Sequence, residues 1–386
     1  MNDIIYLDYC STTPIDRNVA LVMHDYLLRG YANPNSQHRP GQDARRELER
    51  LRSDALLLLG GNTRGMTQDQ LITTSGGTES NHLAVLGLLK PERPRLLVSA
   101  VEHPGVIGAA SIAVGRGVAV RQIPVDRDGV VRLDCLEQLL VEEPTSLVSL
   151  MLVNNETGVI QPVAETARIC HQHGSLIHTD AVQAIGRLPV SFNELRVDAM
   201  TVAAHKFYGP RGIGGLVLRH GVDISPLMVG GSQQMGWRPG TEDVALMAGM
   251  HAALSKSVGE LSTQSVQTAR LRDDFEERLV ASVRGVVEFN GAKANRSGHV
   301  SNVSFPGLDR QAVLLAADLA GLAISTGSAC ASGSSEPSPV LLAMNLESVL
   351  IEGALRFSFG VPTTQAEVVH AVERISRIVN GLRTPK

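Results

Sequence analysis

The sequence has few cysteines, and those it has are widely separated. The four are Cys10, Cys135, Cys170 and Cys330, and no two of them form a CxxC pair. This spacing argues against a disulfide framework or a zinc site, so we expect no metal. Cys135 and Cys170 lie in helical patterns and are expected to be small core residues. A reducing, cytoplasmic setting fits this use of cysteine.

The sequence also lacks a strong excess of one charge and a long apolar run. Its formal net charge is -4 over 386 residues, and the charges are not gathered into blocks. We therefore expect no direct nucleic-acid binding and no membrane surface. The N-terminal stretch MNDIIYLDYCSTTP has no basic segment followed by an apolar one, so no signal peptide is expected. No apolar stretch is long enough to span a bilayer.

Short β-branched runs alternate with helical patterns between about residues 70 and 220. The runs predicted as buried strands are RLLVSAV, VAVRQIPV, TSLVSLMLV, SLIHTDA and DAMTVAA; the predicted helices are PGVIGAASIAVG, RLDCLEQLL and VAETARICHQHG. This alternation predicts an α/β fold with a largely parallel sheet and helices on both faces. Ligands of such sheets bind at the carboxyl ends of the strands.

The pattern changes after residues 243–282, which are predicted to form one long helix or a broken pair. HVSNVSFPG and ALRFSFG are predicted as separate strands, and helices follow GLDRQ and TTQAE. We therefore predict a large domain over residues 15–260. A smaller α+β domain would comprise residues 1–14 and 261–386.

A lysine and an acid fall at the ends of two predicted strands. Lys206 follows His205 where the chain leaves DAMTVAA, and Asp180 ends SLIHTDA, with Gln183 in the next turn. An isolated lysine is usually a surface residue, and Asp180 alone could be a helix cap. Together they suit pyridoxal phosphate, which needs an amine for a Schiff base and a carboxylate to keep its ring nitrogen protonated.

The stretch ITTSGGTESNHLAVLGLL supplies a candidate phosphate cradle. It reads as a strand, two glycines that include Gly77, and a helix that starts near Thr78. Free amides and the helix dipole favour an anion at such a helix start. Taken alone the signal is weak, because two glycines before a helix usually form only a turn.

Three more polar residues occupy suggestive positions. His103 lies at a strand-to-helix junction, where it could stack on the cofactor or move protons, or could simply begin a helix. Asn155 follows the central strand and could bind an oxygen or make an Asx turn. Arg356 lies within an apolar strand, where it could hold a carboxylate or form an internal ion pair.

These residues and motifs resemble those of the cysteine desulfurases, fold-type I pyridoxal-phosphate enzymes of the class V aminotransferase group. The matching motifs, in order, are SGGTESN, VEHPGVI, NNETGVIQP, HTDAVQAIGRLPV, HKFYGPRGIGG, RPGTEDV, SNVSFPG, STGSACASGSSEPS and LRFSFG. The resemblance runs from YLDYCSTTP to LRFSFGVPTTQAEV. The long Ser- and Gly-rich stretch around the last cysteine is similar to that of the group I members. The resemblance implies a mainly parallel seven-stranded sheet, a smaller α+β domain and a homodimer.

The resemblance also implies a role for each candidate residue. Lys206 would hold the cofactor, Asp180 would pair with its ring nitrogen, Gln183 would touch its phenolic oxygen, and His103 would stack on the ring. Gly77, Thr78 and His205 would bind its phosphate, together with Thr241 from the partner subunit. Asn155 and Arg356 would hold the substrate carboxylate, and Cys330 would be the nucleophile.

The implied reaction removes sulfur from L-cysteine and gives L-alanine and a persulfide on Cys330. Gly and Ser around Cys330 predict a mobile loop that delivers the sulfur to a protein acceptor. The sequence leaves that acceptor open among iron–sulfur assembly, tRNA thiolation and DNA sulfur modification. Alternatives are a selenocysteine lyase, an aminotransferase that uses Lys206 but not Cys330, and a degenerate member that serves as a binding platform.

Three features depart from the family pattern. Ala203 stands where relatives usually have a hydroxyl residue for the phosphate, and Met235 and Trp237 stand where relatives are often basic. The sequence stops at NGLRTPK, without the long tail that some members use to dock an iron–sulfur scaffold. Delivery of sulfur to that scaffold is therefore not predicted from the sequence.

Overall fold

The computed structural model describes residues 4–29, 32–327 and 336–383. The predicted loop around Cys330 therefore lies outside the described residues. Within the described ranges, no helix combines the length and the apolar character needed to cross a membrane.

The chain alternates strands and helices through its first two thirds. The helices of the described residues are α1 (Arg17–Arg29), α2 (Arg39–Leu58), α3 (Gly77–Gly87), α4 (Pro104–Gly115), α5 (Leu133–Glu142), α6 (Val163–Gln172), α7 (Phe192–Leu195), α8 (Val244–Gly259), α9 (Leu261–Ser282), α10 (Arg310–Leu319), α11 (Pro339–Ala343), α12 (Ser348–Glu352) and α13 (Gln365–Arg383). The strands are β1 (Ile5–Tyr6), β2 (Gln70–Thr74), β3 (Arg95–Ser99), β4 (Ala119–Ile123), β5 (Leu147–Ser149), β6 (Leu176–Asp180), β7 (Ala199–Ala203), β8 (Gly214–Leu218), β9 (Glu288–Phe289), β10 (Val300–Ser304), β11 (Leu322–Ala323) and β12 (Ala354–Ser358).

Seven strands form one sheet in the order β2-β8-β7-β6-β5-β3-β4. The pairs from β7 to β4 are all parallel, whereas β8 is antiparallel to both of its neighbours. The predicted α/β fold with a mainly parallel sheet is therefore confirmed. Strands β3, β5 and β7 are buried at every position, as expected for strands that helices cover on both faces.

Two details of the sequence interpretation are wrong. VAVRQIPV was predicted to be a buried strand, but β4 is the edge strand of the sheet and most of its side chains are partly or fully exposed. Cys135 was predicted to lie in the core but is only partly buried, whereas Cys170 is buried as expected. The last turn of α5 ends in exposed residues, which leaves that helix partly open to solvent.

A second, smaller unit follows the sheet. It contains the antiparallel sheet β12-β10-β9 and the parallel pair β1-β11, with α9, α10 and α13 packed nearby. Its core joins Ile5 and Leu7 from the start of the chain to Phe275, Phe357 and other apolar side chains. Val340 and Leu341 of α11 pack instead into the larger core, so the small domain of residues 1–14 and 261–386 stays a prediction. Helices α8 and α9 are separated at Glu260, so the predicted long helix is a broken pair.

The parallel strands bring their carboxyl ends to one edge of the seven-stranded sheet. Asp180 is the last residue of β6, and Ala203 is the last residue of β7. Helix α4 begins just after β3, with Pro104 at its first position and His103 as its N-cap. The residues that the sequence placed at strand ends therefore converge, as the topology requires.

Candidate active site

A cavity of about 270 Å³ opens at the carboxyl edge of the sheet. Eight of the predicted site residues line it together with Ala203. The lining residues are Ser11, Gly77, Thr78, Asn81, His103, Met151, Val153, Asn155, Asp180, Val182, Gln183, Ala203, His205 and Lys206. These side chains come from six separate stretches of sequence, so the cavity exists only in the folded chain.

Lys206 ends a single 3-10 turn that follows β7. Its Nζ donates hydrogen bonds to the main-chain carbonyls of Cys10 at 2.6 Å and Ser11 at 2.8 Å. Burial lowers the pKa of Lys206 to about 8, because the charged ammonium loses water that the carbonyls only partly replace. A sizeable fraction of the amine is therefore neutral near physiological pH, and the neutral amine is the nucleophilic form.

Asp180 is held in a fixed orientation by one donor on each carboxylate oxygen. Asn81 Nδ2 donates to Oδ2 at 2.6 Å, and the amide of Val182 donates to Oδ1 at 2.9 Å. Asn81 lies one turn into α3, so the start of that helix positions the carboxylate. Only 5% of Asp180 is exposed. A carboxylate fixed in this way can hold a proton on a ring nitrogen across the cavity.

Two histidines line the cavity in their neutral forms. His103 Nδ1 accepts a hydrogen bond from the amide of Gly105 at 3.0 Å, so the ring proton resides on Nε2. Burial lowers the pKa of His103 below its usual value. His205 Nδ1 lies 3.1 Å from Thr12 Oγ1, and burial lowers the pKa of His205 to about 4. His103 is thus both the N-cap of α4 and a wall of the cavity.

The N-terminus of α3 forms a tight corner of the cavity. Its N-cap, Gly76, makes no side-chain capping bond, so the first amides of the helix have no side-chain acceptor there. A Cβ on Gly77 would lie 3.1 Å from Val182 Cγ2 and 3.6 Å from the Cβ of Ala203. Glycine and alanine at these two positions keep the corner open for an anion.

Arg356 does not line the cavity but lies directly behind it. Its Nη2 donates to Asp8 Oδ1 at 2.7 Å and Ser11 Oγ at 2.9 Å, and its Nη1 donates to the carbonyl of Asn155 at 3.0 Å. The internal ion pair that the sequence left open is therefore present. The Nε of Arg356 is buried without a hydrogen-bond partner among the described residues.

Of Gln183, Thr241, Met235 and Trp237, only Gln183 lines the cavity. Gln183 lines the cavity and donates through Nε2 to the carbonyl of Cys10 at 2.9 Å. Thr241 is exposed and does not line the cavity of its own chain. Met235 and Trp237 line a separate surface groove beside β8. Cys330 lies outside the described residues.

Sequence reasoning missed several residues that shape the site. Asn81 orients Asp180, Asp8 pairs with Arg356, and Ser11 contributes both a carbonyl to Lys206 and a hydroxyl to Arg356. Asn81 lies four residues after Gly77 and thus one helical turn along α3, which was an available signal. The N-terminal contacts had no local signal, because their partners are about two hundred or more residues away.

The residues around the cavity fit pyridoxal phosphate. A buried amine with a lowered pKa, a fixed carboxylate and an open helix N-terminus lie on the walls of one cavity. Among the described residues, no group of three or more His, Cys, Asp or Glu is arranged to hold a metal ion. The donor set therefore suits an organic phosphate with a reactive carbonyl and a basic ring nitrogen.

Comparison with known proteins agrees with this arrangement. A family model described as aminotransferase class-V matches residues 5–370. Cysteine desulfurase IscS of Dictyoglomus turgidum is 38% identical over 383 residues, which cover 98% of this chain and 95% of that protein. The structure of a NifS-like protein superposes with a TM-score of 0.89 at 31% identity and covers 98% of this chain and 100% of that one. A structure of SspA in complex with cysteine superposes with a TM-score of 0.79 at 27% identity and covers 92% of this chain and 98% of that one. The chain therefore belongs to the aminotransferase class-V family, among the pyridoxal-phosphate-dependent cysteine desulfurases.

Proposed function

We propose that this protein removes sulfur from L-cysteine, releases L-alanine and keeps the sulfur as a persulfide on Cys330. The observation that carries the proposal is the single cavity that unites Lys206, Asp180 and the N-terminus of α3. Full-length similarity to cysteine desulfurases supports the same reaction. The related SspA structure contains cysteine, which supports an amino-acid thiol as the substrate.

The cofactor would be held by residues already in place. Lys206 would hold it covalently, Asp180 would face its ring nitrogen, Gln183 its phenolic oxygen and His103 its ring. Its phosphate would meet the first amides of α3 at Gly77, with Thr78 and His205 beside them. When bound, pyridoxal phosphate acidifies the Cα of the amino acid and accepts its electrons.

The protein's own groups would then bind the substrate and move its protons. Asn155 lines the cavity, and Arg356 lies behind it with a buried Nε that has no described partner. We assign the substrate carboxylate to these two residues, with Arg356 shared between that carboxylate and Asp8. Lys206 has a pKa of about 8, so its amine can take up and release protons near neutral pH, while His103 presents a donor N–H at Nε2.

The sulfur step balances without an outside oxidant or reductant. The thiolate of Cys330 attacks the substrate sulfur, the S–S bond forms, and the Cβ–S bond breaks. The electron pair from that bond stays on Cβ, which takes a proton and becomes the methyl group of alanine. The substrate sulfur is oxidised to the sulfane level, and Cβ is reduced by the same two electrons.

We further propose that the protein works as a homodimer with a protein sulfur acceptor. Thr241 is exposed in the single chain, so its hydroxyl is available to a neighbouring subunit. We assign it to the phosphate site of the partner subunit. The acceptor is defined only by its chemistry, as a protein thiol that takes sulfur from a persulfide.

The direct test is brief exposure of the purified protein to L-cysteine, followed by amino-acid analysis and peptide mass spectrometry. We expect alanine and a mass gain of one sulfur on the peptide that carries STGSACASGSSEPS. Cys330→Ala should lose both signals while retaining bound cofactor. A sulfur gain on Cys10 with a fully active Cys330→Ala variant would contradict the proposal. Transamination without sulfur release would favour an aminotransferase instead.

A further inference from the structure

One buried carboxylate, that of Glu156, contacts both ends of the segment that carries Cys330. Glu156 follows Asn155 directly and is only 4% exposed. Its Oε2 accepts a hydrogen bond from Ser338 Oγ at 2.6 Å. Ser338 is the N-cap of α11, and its Oγ also accepts from the amide of Leu341 at 3.2 Å. The hydroxyl of Ser338 thus caps α11 and also donates a hydrogen bond to Glu156.

Gly327, at the other end of the segment, packs against the same oxygen. A Cβ on Gly327 would lie 2.7 Å from Glu156 Oε2, closer than any side chain could be accommodated without movement. The φ angle of Gly327 is +93°, which also favours glycine. The backbone here can approach the carboxylate only because no side chain intervenes.

The residues proposed to bind the substrate carboxylate also contact Gly327. Arg356 Nη1 lies within hydrogen-bond distance of the carbonyls of Asn155 and Gly327, at 3.0 Å and 3.4 Å. Arg356 and Ser325 also exchange main-chain hydrogen bonds. One cluster therefore joins the proposed carboxylate-binding residues to the start of the cysteine-bearing segment, and Glu156 joins that cluster to its end.

We propose that Glu156 is a positioning residue for Cys330. It holds Gly327 and Ser338, which flank residues 328–335, together beside Asn155 and Arg356, and sulfur transfer to Cys330 should depend on this contact. Arg310 Nη2 also holds the second end through the carbonyl of Glu336 at 2.7 Å, so loss of the Glu156 contact should displace this end rather than release it. This inference rests on the proposed function.

The test compares variants of Glu156 in the cofactor-loaded enzyme. Glu156→Ala should slow single-turnover formation of the Cys330 persulfide by about tenfold or more, as expected for loss of a hydrogen bond to a buried carboxylate. Cofactor content and the KM for L-cysteine should stay near the wild-type values, so the loss should appear in kcat. Glu156→Gln keeps an acceptor oxygen and should stay within about threefold of wild type.

Variants of Ser338 test the same contact from its other partner. Ser338→Ala should match Glu156→Ala, and the double variant should be no slower than the slower single variant, because both changes break one interaction. Ser338→Thr keeps the hydroxyl and should retain the rate. Ser191→Ala is the matched control, because Ser191 caps the short helix α7 in the same way without contacting Glu156.

The outcomes separate this inference from the proposed function. If wild type forms neither alanine nor a persulfide on Cys330, the proposed function fails. If wild type forms both and the two alanine variants do so at the wild-type rate, the positioning role is wrong. If the two alanine variants also bind less cofactor, show a higher KM and unfold at a lower temperature, the positioning role is likewise overturned, because these changes indicate a general structural role. If Glu156→Ala does not fold, Ser338→Ala and Ser338→Thr decide the question.

Discussion

The amine of Lys206 lies where main-chain carbonyls, rather than carboxylates, accept its hydrogen bonds. Carbonyl dipoles stabilise the ammonium less than water does, and the pKa of Lys206 falls to about 8 as a result. Asp180 shows the complementary arrangement, since two donors fix its carboxylate. The two residues to which we assign the cofactor are thus oriented by different means: the amine by acceptors and the carboxylate by donors.

The lowered pKa of Lys206 predicts how cofactor attachment depends on pH. The neutral amine reacts, so the attachment rate of pyridoxal phosphate to the apoprotein should rise between about pH 7 and 9 and level off above that range. Borohydride reduction at each pH, followed by peptide mapping, measures the rate and the site. Lys206→Ala should give no pyridoxyl label. A label on another lysine, or a rate that still rises beyond pH 10, would contradict the assignment.

Asp180→Asn should reduce turnover far more than cofactor binding. The change removes the charge that would keep the ring nitrogen protonated, and loss of one such electrostatic contact commonly costs about a hundredfold. The fold should tolerate it, because Asn81 Oδ1 has no described partner and can accept from the new amide after rotation. Alanine formation and equilibrium binding of the cofactor should be measured in parallel. Near-normal turnover would show that Asp180 is only structural.

At the scale of elements, the junction from β2 to α3 forms the corner to which we assign the cofactor phosphate. The chain passes through Gly76 and Gly77 and turns directly into a helix whose first amides border the cavity. Ala203, from the end of β7, closes the same corner and is only 1% exposed. The proposed anion site therefore depends on the approach of a strand end to a helix start, with small residues on both sides.

Ala203→Ser restores the hydroxyl that relatives usually have at this position. We expect it to change the dissociation constant of pyridoxal phosphate by no more than about tenfold, because one hydrogen bond is added to several that remain. Gly77→Ala is the comparison, since its Cβ would press on Val182 and narrow the corner, and it should weaken binding more. Both constants can be measured by titrating the apoprotein. A strict requirement for serine would favour the degenerate binding platform.

At the scale of the whole molecule, the N-terminal segment links the two units and the site. Ile5 and Leu7 enter the smaller core, Asp8 pairs with Arg356, and the carbonyls of Cys10 and Ser11 hold Lys206. The N-terminal segment therefore contributes directly to the environment of Lys206. Thr241, by contrast, is exposed and does not line the cavity of its own chain.

Mixed dimers test whether Thr241 acts on the partner subunit. Dimers made only of Lys206→Ala subunits or only of Thr241→Ala subunits should have low activity at limiting cofactor concentration. A mixture of the two kinds of subunit should regain activity. In a mixed dimer, one site then has both changes and the other site has neither. Alanine formation after subunit exchange measures the recovery, and each unmixed variant serves as its control. No recovery, with exchange verified by mass, would place Thr241 outside the partner's site.

Local patterns determined much of this protein. The alternation of strand and helix patterns predicted the parallel sheet, and polar residues at strand ends predicted Asp180, Lys206 and His103 as neighbours. The prediction succeeds because the carboxyl ends of parallel strands meet at one edge, so residues at equivalent local positions converge whatever their separation in sequence. The broken pair α8 and α9 was likewise visible as one of two alternatives.

Only the tertiary structure determined the order of the strands in the sheet, the contacts between distant segments and the burial of individual side chains. Strand β4 was predicted to be buried but lies at the edge, because a short strand pattern does not specify the order of strands in a sheet. The pairing of Asp8 with Arg356 joins residues 348 positions apart. Gly327 and Ser338, on either side of the Cys330 segment, both lie against Glu156 in the loop after β5. The pKa of Lys206 depends on every group that excludes water from it. Such contacts and desolvation arise from the packing of distant segments, which no local pattern of residues contains.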